Sequence, residues 1–281
     1  MKFNKFSWVL IFCIQLMVCC TQKIFEKDLI LATKNNDVYS LEYAIKNGAH
    51  IDTVDKEGFT PLIWASVMGH KNIVKLLLNN HADVNSKNEY GETALGLVST
   101  KGHLHIAELL IENKANVNAV NKDSVTPLMY CSNHGFDKLI ELLLKNNANM
   151  EAVSREHLNA LAYACFNERY ETVKLLIKHK ANVNFKTIDD ESILLLIAYR
   201  GFPKIAKLLI ENGADVNAKN KELDTPLMAA CRTRNLDMVK LLLKNKAEIN
   251  AKDENGETAL VHAKRTGERK VIELLVASGA K

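Results

Sequence analysis

The feature that most constrains this chain is a period of thirty-three residues. The triplet Thr60-Pro61-Leu62 recurs as Thr93-Ala94-Leu95, Thr126-Pro127-Leu128, Asn159-Ala160-Leu161, Ser192-Ile193-Leu194, Thr225-Pro226-Leu227 and Thr258-Ala259-Leu260. Seven units follow one another without insertion or deletion. A second landmark keeps the phase, running from Leu76-Leu77-Leu78 through Leu142-Leu143-Leu144 to Leu274-Leu275-Val276. A fixed period of this length is the mark of a stacked-repeat architecture and outranks any local reading.

Each unit reads as a turn, a first helix of about 9 residues, a tight turn and a second helix of about 10. Thr60, Thr126 and Thr225 are N-cap residues whose oxygen satisfies an orphan amide. Pro61, Pro127 and Pro226 then take the first helical position, where no amide is needed. The fourth proline, Pro203, opens a second helix. Glycines fall between the two helices (Gly69, Gly102, Gly135, Gly201, Gly267), after the second helix (Gly48, Gly213, Gly279) or in the turn before the threonine (Gly58, Gly91, Gly256). Helices this short are unstable alone in water. Their apolar positions, such as Leu62, Ala65, Ile73, Val74, Leu76 and Leu77, must be covered by the neighbouring unit.

The pattern resembles the ankyrin repeat family. Gly58-Phe59-Thr60-Pro61-Leu62, Gly69-His70, Val74-Lys75-Leu76-Leu77-Leu78 and Gly213-Ala214-Asp215-Val216-Asn217-Ala218-Lys219 carry the resemblance, which covers Phe25–Lys281. It implies an all-α solenoid of about eight helix-turn-helix units with projecting hairpin loops: 25–57, 58–90, 91–123, 124–156, 157–189, 190–222, 223–255 and 256–281. It also implies a curved stack whose concave side binds partners. The chain departs from the family in two places. The histidine that often follows Thr-Pro-Leu is replaced by Ile63, Gly96, Met129, Ala162, Leu195, Met228 and Val261, so its hydrogen bond to the loop is expected to be missing. The turn glycine is replaced by Ser124, His157, Asp190 and Leu223, where a positive φ is costly. These loops are expected to bend differently, and with Ile197 in place of a helix alanine the middle of the stack is expected to be weakest.

The first residues differ from the rest. Lys2 and Lys5 precede an apolar run from Trp8 to Cys20, broken only by Gln15. Thirteen residues are short for a membrane span, which needs about 20. A basic start, a short apolar core and Thr21-Gln22-Lys23 have the layout of an export signal over residues 1–20, with a linker at 21–24. Leu16-Met17-Val18-Cys19-Cys20 resembles the box that bacterial lipoproteins carry, with lipidation implied at Cys19 or Cys20, though Val18 or Cys19 stands where that family has Gly, Ala or Ser. The expectation is an exported chain: periplasmic, anchored on the outer side of a membrane, or secreted. It is cytoplasmic if the leader is not a signal.

Chemistry is sparse. The sequence holds no glycine-rich phosphate loop, His-Glu-x-x-His helix, Cys-x-x-Cys pair or EF-hand loop, so no catalytic residue, cofactor or metal is expected. His103 and His105 are two apart, but His103 shares its phase with His70 and reads as structural. Cys131, Cys165 and Cys231 read as small buried packing residues. The net charge of +4 is too small to announce a nucleic-acid binder. At the loop positions that the family most often uses for contact, four residues are basic and eleven acidic, so the loop edge repels phosphate. That edge carries apolar insets. The expected partner-binding residues are Phe59, Met68, Tyr90, Glu92, Val125, His134, Leu158, Phe166, Glu191, Tyr199, Arg200 and Asp224. Aromatic anchors in a polar rim suit a protein partner. The reading is thus a monomeric, non-enzymatic scaffold that binds protein, not nucleic acid, and meets a membrane only through its leader or a lipid. The alternatives are a structural or assembly protein, the targeting subunit of an enzyme, or a secreted effector acting on a host protein.

Overall fold

The computed structural model describes residues 26–281. The expected signal, linker and lipidation sites at Cys19 and Cys20 lie outside the described residues. The described residues are all-helical, in successive helix pairs, with one isolated antiparallel bridge between Lys186 and Ser192. After α1 (residues 26–34) and α2 (Val38–Lys46), first helices are α3 (Pro61–Met68), α5 (Ala94–Lys101), α7 (Pro127–His134), α9 (Ala160–Phe166), α11 (Ile193–Arg200), α13 (Pro226–Arg232) and α15 (Ala259–Thr266). They alternate with second helices α4 (Lys71–Asn79), α6 (Leu104–Glu112), α8 (Asp137–Lys145), α10 (Tyr170–Lys178), α12 (Pro203–Glu211), α14 (Leu236–Lys244) and α16 (Arg269–Ala277). Among the described residues no helix is long and apolar enough to cross a membrane.

Two compact units divide the chain. Of the described residues, one holds 26–127 together with Glu141–Ala148; the other holds Leu128–Ile140 and Asn149–Lys281. In the first, α3 packs on α4 and α5, and α4 on α6. In the second, α11 packs on α9, α12 and α13, and α13 on α14 and α15. The central leucine of each landmark triplet is fully buried: Leu77, Leu110 and Leu143 in the first unit, Leu176, Leu209, Leu242 and Leu275 in the second. Leu76, expected in the core, is only half-buried. Its neighbour Leu78 turns inward instead.

The helix starts follow the reading above. Thr60, Thr93, Asn159, Ser192 and Thr225 each accept a backbone hydrogen bond three residues on. The ends explain a small variation in length. Where a left-handed glycine closes the first helix, as at Gly69, Gly102, Gly201 and Gly267, the helix has 8 residues. Where Glu168 and Arg234 hold that place, α9 and α13 stop one residue sooner, at 7.

The glycine-free loops correct an expectation. Ser124, His157, Asp190 and Leu223 adopt φ of 59°, 55°, 58° and 62°, the left-handed bend of Gly58 at 76° and Gly256 at 75°. The bend is held by the same two hydrogen bonds in every loop. In the loop of Leu223, its amide donates to the Asn220 carbonyl at 3.1 Å and the Asn220 amide donates to the Asp224 carbonyl at 3.3 Å. In the loop of Gly58, the equivalents are Gly58 to Asp55 at 3.1 Å and Asp55 to Phe59 at 3.2 Å. The surrounding turn therefore imposes the conformation, and the side chain tolerates it at about 1 kcal/mol. Glycine is needed for another reason at Gly58 and Gly91. A Cβ there would meet the amide nitrogens of Glu89 and Lys122 at 2.9 and 3.0 Å, where successive loops hydrogen-bond.

The side chains at the family histidine's position, such as Ile63, Ala162 and Val261, have no hydrogen-bonding group. The residue one position further on instead bonds the root of its own loop in several units. Trp64 Nε1 donates to Asp55 Oδ2 at 2.8 Å, Tyr163 donates to Ser154 Oγ at 3.2 Å, and His262 Nε2 lies 2.9 Å from Asp253 Oδ2.

Candidate functional site

Most loops are organised by one side chain at the root. Asp55, Asn88, Asn121 and Asp253 each accept the amides two and four residues on through a single oxygen, at 2.9–3.1 Å. Asn220 accepts the amide of Asp224 at 2.8 Å. Such a side chain replaces a missing backbone acceptor and fixes a tight turn. Burial alone would raise the Asp253 carboxyl, but the amides of Glu257 and Asn255 and the His262 imidazole more than offset this and hold it below the ordinary range. Asp55 behaves likewise, through Trp64, the amides of Phe59 and Glu57, and Lys34. Ser154 and Thr187 stand at the same place in their loops. Ser154 Oγ reaches the Leu158 amide only at 3.4 Å, and Thr187 Oγ1 is buried without a hydrogen-bond partner.

A second ladder runs along the loops. Within the second unit, Asn184 accepts the amide of Asp215 at 2.8 Å and donates to the Gly213 carbonyl at 3.0 Å. Asn217 does the same to Glu248 and Lys246, and Asn250 to Lys281 and Gly279. In the first unit Asn85 joins Asn116 and Lys114 in this way. Glu151 holds this position with a carboxylate, which can only accept, and reaches the Asn182 amide at 3.5 Å.

These restraints decide which expected contact residues are presented. In the first unit Met68 and Tyr90 are exposed at 44% and 56%. Phe59 is half-buried against Trp64, with ring centroids 4.8 Å apart, and Val125 is half-buried. Glu92 is a correction: it is only 8% exposed, and its carboxylate accepts from Asn121 Nδ2 at 2.7 Å. In the second unit His134 and Arg200 are exposed, while Phe166, Glu191 and Tyr199 are half-buried. His134 stacks on Phe136, and the Arg200 guanidinium lies 5.3 Å over the Phe166 ring. Leu158 and Asp224 are further corrections, at 9% and 7% exposed. Leu158 is buried in a loop that closes by the same bond as the others, the Ser154 amide donating to the Leu158 carbonyl at 3.0 Å.

Asp224 belongs to an ionic cluster in the second unit. Arg232 binds both of its carboxylate oxygens, through Nη1 to Oδ2 and through Nη2 to Oδ1 at 2.7 Å. Tyr199 donates to Asp224 Oδ2 at 2.8 Å, and Arg232 Nη1 donates to the Tyr199 oxygen at 2.7 Å. Arg232 Nη2 also approaches Asp253 Oδ2 at 3.5 Å. His262, itself buried, donates from Nε2 to Asp253, which leaves Nδ1 to accept from Arg232 Nε at 3.4 Å. The Asp224 hydrogen bond raises the Arg232 guanidinium further above its ordinary range. Burial and then Asp224 push the Tyr199 phenol up to about 12, so it stays protonated and donating. Asp224, Asp253 and His262 place ligand-type atoms within 4.8 Å of one another. The cation of this cluster, however, is the guanidinium of Arg232, which already bonds both carboxylates.

The remaining chemistry-bearing groups are structural. His103 Nε2 and His70 Nδ1 face the Val67 and Thr33 carbonyls at 3.2 and 3.0 Å, clipping each helix pair to the preceding one. Cys131, Cys165 and Cys231 are buried and form no disulfide among the described residues; burial pushes the Cys231 thiol up to about 12 and raises that of Cys165 as well, so neither of these two is a thiolate near neutrality. The sequence reading missed Arg232, although its eight-residue spacing from Asp224 recurs in Glu257 and Arg265. It also missed two apolar loop tips, Ile188 and Leu223, exposed at 58% and 45%.

Helix pairs at a fixed period, with hydrogen-bonded loops projecting from them, decide the family. The profile of ankyrin repeats (3 copies) matches residues 13–88, 29–121, 95–189, 132–220 and 194–281. The chain belongs to the ankyrin repeat family. Ankyrin repeats are in general protein–protein interaction modules, typically without enzymatic activity. A comparison with curated proteins finds no match.

Proposed function

We propose that this ankyrin chain is a non-enzymatic scaffold that binds a partner protein along its loop tips and the ends of its first helices. The observation that carries this reading is the presentation of large side chains at those places within each unit. Met68 and Tyr90 stand out in the first unit. Arg200 stands out in the second, with the partly exposed rings of Phe166 and Tyr199, at the ends of their first helices. Little ordering entropy is then lost on contact. The partner is protein and not nucleic acid, because the loop edge is predominantly acidic. The scaffold acts as a monomer, and the layout of residues 1–20 favours export, with any membrane attachment made through that segment or a lipid on Cys19 or Cys20.

The test is capture of binding proteins by the full chain from its native extract. Substituting Tyr90, Phe166 and Tyr199 together by alanine is expected to lower the captured partner at least tenfold. Capture unchanged by the triple variant would remove this face from consideration.

A further inference from the structure

The second unit contains a carboxylate–guanidinium pattern that repeats with the fold. Asp224 and Glu257 occupy the same position in successive loops, and each is held by an arginine eight residues on. Arg232 grips Asp224, and Arg265 grips Glu257 through two hydrogen bonds at 3.0 and 2.5 Å. Glu191 occupies that position one loop earlier. Eight residues on stands Tyr199, whose hydroxyl is turned to Asp224 instead. No ion pair involves Glu191 among the described residues. Its surroundings are acidic: burial, then Asp189, Glu222 and Asp224, raise its carboxyl above the ordinary range. Lys221 is committed to Asp189 at 3.2 Å and does not relieve Glu191. Ile188 precedes it by three residues, and Leu223 is the tip of the following loop; both are exposed apolar side chains.

We infer that Glu191 is the docking point for an arginine of the partner protein, and that Ile188 and Leu223 receive an apolar residue next to that arginine. The partner's guanidinium would stand to Glu191 as Arg265 stands to Glu257. Arginine rather than lysine is specified, because a planar fork matches a carboxylate with two parallel hydrogen bonds. The exposed apolar pair favours an apolar neighbour and excludes water from the ion pair. This inference rests on the protein-binding reading above and narrows it to one chemistry.

The experiment is selection of random displayed dodecapeptides on the full chain, followed by affinity measurement on synthetic forms of the enriched peptides. The enriched pool is expected to carry arginine beside leucine, isoleucine, valine or phenylalanine. Glu191→Gln should weaken such peptides about tenfold to a hundredfold, as should citrulline in place of their arginine. Ile188→Ser with Leu223→Ser should weaken them about threefold to tenfold. Tyr199→Arg, which supplies the chain's own guanidinium eight residues after Glu191, should compete and weaken them as strongly as Glu191→Gln. Thermal melts of each variant establish that it is folded. Glu191→Arg paired with an aspartate-for-arginine peptide should recover binding. An empty pool, a pool without arginine, or arginine peptides that bind Glu191→Gln equally well would overturn the inference. In each of those cases, a captured partner that is lost in the Tyr90, Phe166 and Tyr199 variant leaves the general reading standing.

Discussion

The loops rooted at Asp253 and Thr187 share a backbone and differ in what holds it. In both, the left-handed residue donates to the root carbonyl, Gly256 at 2.9 Å and Asp190 at 3.1 Å. Asp253 then accepts two amides of its own loop through one side-chain oxygen, and its other oxygen bonds His262 and lies 3.5 Å from Arg232 Nη2. Thr187 adds nothing, and its hydroxyl is buried without a partner. An orphaned buried hydroxyl costs about 1–3 kcal/mol. The repeat therefore fixes loop shape through main-chain bonds, while side chains at one position decide how firmly each loop is held. The expectation of a weak middle takes a sharper form in the second unit. Weakness is assigned to the loops rooted at Ser154 and Thr187 and to the Glu151 rung. Ile197 is fully buried in α11, and the glycine-free turns keep the common bend.

Three measurements can break or sharpen that contrast. The largest effect is expected for Arg232→Ala, which leaves the buried Asp224 and Asp253 carboxylates without their cation. Breaking a buried pair costs about 3–5 kcal/mol, reduced here to about 2–4 because the Arg232 side chain keeps part of its surface in water. Urea unfolding followed by circular dichroism reads this directly, and a loss under 1 kcal/mol would mean that the cluster contributes little to holding the Asp253 loop. The next is pH dependence. The folded Asp253 carboxyl lies below its ordinary range. Its contribution is therefore present above the unfolded value of about 3.9 and is lost as pH falls through the folded one. Stability of Asp253→Asn should fall less steeply below about pH 4 than that of the parent chain; equal slopes would dissociate Asp253 from the acid response. The smallest effect is a gain. Thr187→Asn gives the loop the acceptor that Asn88 and Asn121 provide elsewhere. It should stabilise by about 1 kcal/mol and raise amide-exchange protection at residues 189–191. Protection already equal to that of the Asp253 loop would erase the distinction.

The fold was legible because the period is a property of residue types. Caps, prolines and the buried central leucines all repeat in phase, and short helices have no stable alternative to stacking. The candidate site was less legible. Exposure differs among residues at one loop position: Glu92, Leu158 and Asp224 are buried there, while Phe59, Val125 and Glu191 keep part of their surface in water. Charge alone could not distinguish Asp224, which is neutralised within the chain, from Glu191, which is not. The eight-residue spacing of Asp224 with Arg232 and Glu257 with Arg265 was visible in the sequence. Its meaning required seeing that a first helix returns its last turn to the loop that precedes it. The loop-root residues at 55, 88, 121, 220 and 253 were equally visible as recurring Asp and Asn, yet polar loop residues rarely declare which amides they will accept.

The asparagine rungs act as a ruler. Asn184 accepts thirty-one residues ahead and donates twenty-nine residues ahead, and Asn217 and Asn250 repeat both spans. An extra residue between two rungs would offer each amide the wrong atoms on both sides at once. One side chain thus checks the length of the unit it faces, which gives a physical reason why seven consecutive units run to the same count without a slip.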